Sequence, residues 1–172
     1  GITLQFPTIT ENCTIASITN DAPANFQIGT TVVTWTVTDS SGNSTTASQN
    51  VIVVDEILPT LVVPSNITLN ANNGCVAYNV ALGTPITSDN CAIASLTNNA
   101  PTVYTEGITE ITWTVTDSSG NTTTGIQTVT VLDTVNPTII APSPVTVSAT
   151  VDCSVTNVSL GTPVTSDNCS VA

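Results

Sequence analysis

The nine residues Trp-Thr-Val-Thr-Asp-Ser-Ser-Gly-Asn occur at 35–43 and again at 113–121, an offset of 78 residues. The same offset carries Asn12-Cys13 onto Asn90-Cys91 and then Asn168-Cys169. It also carries Cys75 onto Cys153, and Leu82-Gly83-Thr84-Pro85 onto Leu160-Gly161-Thr162-Pro163. A fixed period of this length denotes a tandem array in which each repeat is one structural unit. Joints fall at Pro59-Thr60 and Pro137-Thr138, each following an aspartate that closes a valine-rich run. The chain then divides into the C-terminal part of a first repeat (1–56), a complete repeat (57–134) and the N-terminal part of a third (135–172). Half a repeat cannot close its own core. Neighbouring repeats are therefore the first expected partners, supplied by continuation of the chain in both directions or by neighbouring copies.

Within each repeat the apolar period is two, the period of a strand with one buried face. Val33, Trp35 and Val37 share one face against Thr34, Thr36 and Thr38; Ile111, Trp113 and Val115 repeat this against Thr112, Thr114 and Thr116. The Ser-Ser-Gly-Asn that follows is turn chemistry, and it leads into runs ending in Val51 and Val53, or Val129 and Val131. Each phrase predicts a hairpin. Trp35 and Trp113, flanked by inward valines, read as core rather than as stacking platforms, and Phe26 and Tyr104 read the same way. No helical period is present. The fold class expected is all-β: tandem immunoglobulin-like antiparallel β-sandwich repeats.

The chain has no lysine, arginine or histidine against twelve Asp and Glu, for a net charge of -12. A domain of ordinary composition and this length would hold roughly twenty Lys and Arg. Every side-chain ion pair is excluded, and nucleic acid phosphates and anionic lipid are repelled. The apolar runs, such as 51–54, are too short to span a bilayer, so neither nucleic acid binding nor membrane insertion is expected of this segment. Acid–base catalysis lacks a histidine or lysine, so no enzyme activity and no catalytic residue is expected.

Five cysteines at recurring positions give two complete pairs by proximity, Cys75 with Cys91 and Cys153 with Cys169, and leave Cys13 as the second half of a pair whose partner lies outside the chain. Free thiols, a metal site and a catalytic thiol are the rival readings. One pair per repeat without histidine favours structural disulfides and an oxidising, extracellular setting.

Seven of the acids fall in three recurring classes: Glu11, Asp89 and Asp167 before the cysteine, Asp39 and Asp117 at the hairpin turn, and Asp55 and Asp133 at the joint. If sandwiches are strung end to end, a joint aspartate faces the hairpin turn of the next repeat, as Asp55 would face Asp117. Two carboxylates about 5 Å apart repel by about 3 kcal/mol at an effective dielectric near 20. Without cationic side chains, a hard, oxygen-seeking cation is the remedy. The expected ion is calcium, held at the joints by Asp55, Glu56 and Asp117, with Asp89 and Asn90 as further donors and Asp133 and Asp167 as their counterparts one repeat on. The alternative needs no metal: Asp117 caps its own turn and Asp89 forms an Asx turn. A disulfide on Cys91 would also draw Asp89 away from Asp117 and towards the other joint.

The ordered motifs Ser-Asp-Asn-Cys (88–91), Gly-Ile-Thr-Glu-Ile-Thr-Trp-Thr-Val-Thr-Asp-Ser-Ser-Gly-Asn-Thr (107–122) and Val-Thr-Val-Leu-Asp-Thr-Val-Asn-Pro-Thr-Ile (129–139) resemble the hyalin-repeat (HYR) family, an immunoglobulin-like extracellular module. Members of that family often carry another cysteine pair, before the first-strand proline and early in the last strand. Here those places hold Val63 and Ala141, and Ala47 and Gly125, so small apolar contacts replace the bridge. Lysine-free, threonine-rich tandem repeats further resemble the giant surface adhesins of gliding Bacteroidota. The resemblance implies adhesion: a structural stalk segment of an extracellular, cell-surface adhesive filament, with gliding motility as its setting and its surface or glycan ligand unknown. The alternative is a repeat that itself binds glycan, for which the non-recurring Phe6 and Tyr78 are the sequence support.

Overall fold

The computed structural model describes residues 4–10, 14–72, 74–149 and 152–170; Glu11, Asn12 and Cys13 lie outside them. All described regular structure is strand, and no helix among the described residues is long and apolar enough to cross a membrane. Two compact units are present, Gly1–Ile57 and Leu58–Ala172.

The first unit is a three-stranded antiparallel sheet of β1 (Ile15–Asn20), β2 (Gly29–Asp39) and β3 (Ser44–Val53), in the order β1-β2-β3. Alternation places Val33, Trp35 and Val51 in its core, with Phe26 and Ile18 packed against them. The β2–β3 turn closes through Asp39 N–H donating to the Asn43 carbonyl at 2.9 Å, with Gly42 at φ +89°. That positive φ is open to glycine without the steric penalty other residues meet.

The second unit is a two-layer sandwich. One layer is a four-stranded sheet in the order β5 (Ile67–Asn70), β11 (Thr122–Leu132), β10 (Gly107–Asp117), β8 (Ile93–Asn98). Facing it are two short ladders, β4 (Thr60–Val62) with β7 (Ile86–Ser88), and β6 (Val76–Tyr78) with β9 (Val103–Thr105). Between the layers lie Ile111, Trp113, Val129 and Val131 from the large sheet, and Ala77 and Tyr104 from β6 and β9. Full burial of each such valine or isoleucine stabilises the fold by about 1.5–3 kcal/mol. The sheet is not purely antiparallel: β5 runs parallel to β11, pairing Ile67 with Val129 through Asn70 with Leu132. The intervening strands supply the long connection that a parallel pair requires.

The sheet is pinned by a buried amide. Gln127, fully buried, accepts from Trp113 Nε1–H at 3.0 Å through Oε1, while its Nε2 donates to the Ser65 and Leu82 carbonyls at 2.8 and 2.9 Å. All of its principal hydrogen-bonding capacity is used, as burial demands. Gln127 thus ties β10 and β11 to the segments on both sides of β6. Gly125 leaves room for Val63: a Cβ there would stand 2.6 Å from Val63 Cγ1. The two positions without the additional family cysteines are therefore in contact, glycine against valine.

After Leu132 the chain begins the pattern again within the same unit. β12 (Thr138–Ile140) pairs with β13 (Val164–Ser166) as β4 pairs with β7, and Thr138 Oγ1 donates to the Ser166 carbonyl as Thr60 Oγ1 does to that of Ser88. Asn79 and Asn157 share a φ of 58°.

Candidate metal centre and disulfide staple

The ends of β10 define the geography of the site. Gly107 at its start pairs with Val131, beside the exit of the repeat towards Asp133, and Asp117 at its end pairs with Ile93, just after Cys91. Cys75 lies at the exit end, where its carbonyl accepts from Glu106 N–H at 3.0 Å and the neighbouring Ala71 N–H donates to the Leu132 carbonyl at 2.9 Å. Ten residue steps of strand separate the two ends, about 33 Å at about 3.3 Å per residue. A disulfide requires Cα atoms within about 7 Å.

The proximity pairing of Cys75 with Cys91 is thus corrected by strand direction. Cys75 is bonded instead to Cys169, 94 residues away, with a Cα–Cα distance of 4.7 Å. The pairing of Cys153 with Cys169 falls with it, and Cys153 is an exposed free thiol. Cys91 is exposed, its backbone N–H donating to Asp89 Oδ2 at 3.0 Å and its Sγ contacted by Asn90 Nδ2 at 3.1 Å. Cys13 is among the residues that are not described. Closing a loop of about 100 residues stabilises a fold by about 4.7 kcal/mol in the chain-entropy model.

Around this bond the segment after β13 meets Gly74 and the segment after β11. Asn168 Nδ2 donates to the Gly74 carbonyl at 3.3 Å and to Asp133 Oδ1 at 3.2 Å. Cys169 N–H donates to Asp167 Oδ2 at 3.2 Å, and Val135 N–H to Asp133 Oδ1 at 3.0 Å. Carboxylate oxygens of Asp133 and Asp167, with Cys169 Sγ, lie within 4.8 Å of one another. The sulfur is engaged in the disulfide, so the two aspartates are the available hard donors. Asp167 Oδ1 is buried and accepts no hydrogen bond, and Asp89 Oδ1 is the same. An orphaned carboxylate oxygen beside a second carboxylate, in a chain without side-chain cations, fits an oxygen-seeking cation such as calcium.

The predicted turn donor is placed differently. Asp117, 2% exposed, spends its oxygens on its own turn: Oδ1 accepts from Ser119 and Asn121 N–H at 2.9 and 2.8 Å, and Oδ2 from Asn121 Nδ2 at 2.8 Å. This is the metal-free alternative, and the aspartate that meets Asp133 is the one before the cysteine. Burial raises the Asp117 pKa, but hydrogen bonds from Asn121, Ser119 and Gly120 outweigh it and hold the carboxyl below its ordinary range. Asp39 is lowered by the same turn, first by the Asn43 side chain. Asp55 Oδ1 accepts from Ile57 N–H at 3.1 Å, Glu56 is exposed, and Asn90 is exposed. Two participants were missed in the sequence, Glu106, whose Oε2 is 3.9 Å from Cys75 Sγ, and Gln127. Gln127 had left a signal, since Gln49 recurs with it on the inward side of the valine alternation.

Fold and site together define a disulfide-bonded, all-β module of the extracellular kind. Residues 54–131 match the HYR domain family. It is also similar to two proteins named Hyalin. One is from Strongylocentrotus purpuratus, 37% identical over 178 residues, covering 96% of the chain and 15% of the relative. The other is from Lytechinus variegatus, 38% identical over 146 residues, covering 78% of the chain and 28% of the relative. The chain therefore spans less than a third of either relative.

Proposed function

We propose that this chain is a structural stalk segment of an extracellular adhesive filament, in which repeats supply length and the specific ligand contact is made elsewhere. The observation that carries the reading is the Cys75–Cys169 bond, which covalently joins the complete repeat to the beginning of the next. A module whose chemistry is spent on its own joint is suited to transmitting position and tension. The match of residues 54–131 to the HYR family and the similarity to Hyalin support adhesion as the setting. The finer assignment, a cell-surface adhesin of the gliding type, rests on the absence of lysine and the threonine-rich repetition. No catalysis is assigned to it.

Calcium belongs to the same proposal. Asp133 and Asp167 would hold the ion, which supplies positive charge between two carboxylates and so fixes the joint. The second reading, a glycan-binding repeat, is favoured by Phe6, 72% exposed with its ring centroid 5.6 Å from that of Trp35. A glycan array probed with this chain tests the choice. The stalk reading expects no saturable binding, and a saturable, competable hit would replace it with the glycan-binding one.

A further inference from the structure

The disulfide decides which covalent path carries tension. Between Cys75 and Cys169 lie β6 to β13, including the β10–β11 hairpin. Among the described residues, the buried members of the core cluster, Ala77, Tyr104, Ile111, Trp113, Val129 and Val131, are in that interval, while Pro59 and the half-buried Leu61, Val63, Ile67 and Leu69 that pack on them precede it. Only β4 and β5 of the sandwich precede Cys75. A pull on the two ends of the chain enters through these strands and leaves beyond Cys169. The shortest covalent route between them is a single disulfide.

We propose that Cys75–Cys169 is a tension shunt, which takes the hydrophobic core and its hairpin out of the line of force and limits the extension of the stapled unit. Force can peel β4 from β7 and β5 from β11, but peeling stops at Cys75. Nothing between residues 76 and 168 lengthens the chain, whether folded or not, because its ends are fixed to each other. The released core remains a closed loop and refolds without working against the applied force. Pairing within a repeat would act otherwise, since a Cys75–Cys91 bond leaves β8, β10 and β11 in series with the load. The shunt follows from connectivity and rests on the same bond as the stalk reading, which gives it a use.

Single-molecule extension tests it on the whole chain, tethered at both ends, before and after a phosphine reductant. Reduction gives the disulfide two electrons and two protons to yield two thiols, while the phosphine takes an oxygen from water and becomes its oxide. The expected result is a fully extended chain longer after reduction by about 320 Å, for 94 residues at about 3.4 Å each. Cys75→Ser and Cys169→Ser should each show the long contour in both conditions. The readout is the contour of the unfolded chain, so it holds even if a variant does not fold. Equal contours with and without reductant would overturn the proposal. So would a difference of about 110 Å, the signature of two 16-residue loops closed within repeats. Neither result bears on glycan binding, which the array reads separately, so loss of the bond is distinguishable from replacement of the stalk by a glycan-binding repeat.

Discussion

Trp113 and Gln127 are diagonal neighbours on the β10–β11 ladder, Trp113 opposite Gly125 and Gln127 opposite Ile111, joined indole Nε1–H to amide Oε1 at 3.0 Å, and the same amide holds the Ser65 and Leu82 carbonyls. Gln127→Leu keeps the volume roughly but orphans one donor and two acceptors. Each unsatisfied buried group costs about 1–3 kcal/mol, so a total loss of roughly 3–5 kcal/mol is expected in denaturant unfolding of the second unit. Gln49→Leu should cost less, because the Trp35–Gln49 pair is only partly buried.

Gly125→Ala places a methyl 2.6 Å from Val63 Cγ1. Overpacking of this kind destabilises by about 1–3 kcal/mol. In a Val63→Ala background the clash is gone, and the further effect of Gly125→Ala should fall to about 0.5 kcal/mol or less. A double-mutant cycle by chemical denaturation measures the coupling.

Stability should fall in acid through the turn aspartates. Asp39 and Asp117 have folded pKa values below the ordinary 3.8. A depressed carboxylate contributes stability that is present above its unfolded pKa and is lost as pH falls through the folded one. Melting temperature should therefore drop as pH falls below about 4. Asp117→Asn should lower stability at neutral pH and flatten that acid limb. Asn121 Nδ2 would then face an amide, and the titrating group would be gone.

Asp133 and Asp167 predict a change of sign with calcium. Without the ion, Asp167→Asn relieves a carboxylate repulsion and should stabilise the second unit by about 1 kcal/mol after solvent screening. With millimolar calcium the wild-type chain should melt higher and Asp167→Asn should lose that gain. Melting curves with calcium and with chelator check both. Identical wild-type curves would remove calcium from the joint.

The fold was legible where a strand is long and half-buried. The alternation around Trp35 and Trp113 located β2, β3, β10 and β11, and Ser-Ser-Gly-Asn located their turns. The three-residue strands β6 and β9 are too short to show a period, and they place Cys75 at the exit end of the repeat. Without that placement, sequence proximity pointed to Cys91, and the direction of the staple was lost. The joint aspartate Asp133 was legible from its recurrence, but its neighbour was not. Meeting Asp167 rather than a turn aspartate depends on how β12–β13 returns to the exit end, which is tertiary information.

The Cys75–Cys169 bond is tested most directly by mass spectrometry of the unreduced chain after cleavage at acidic residues, since there are no basic ones to cut at. Cleavage after Glu56, Asp89, Glu106, Asp152 and Asp167 puts Cys75, Cys91, Cys153 and Cys169 on four different peptides. Peptide 57–89 should be found joined to peptide 168–172 and released by reductant. Recovery of 57–89 joined to 90–106, with 153–167 joined to 168–172, would contradict the joint and everything built on it.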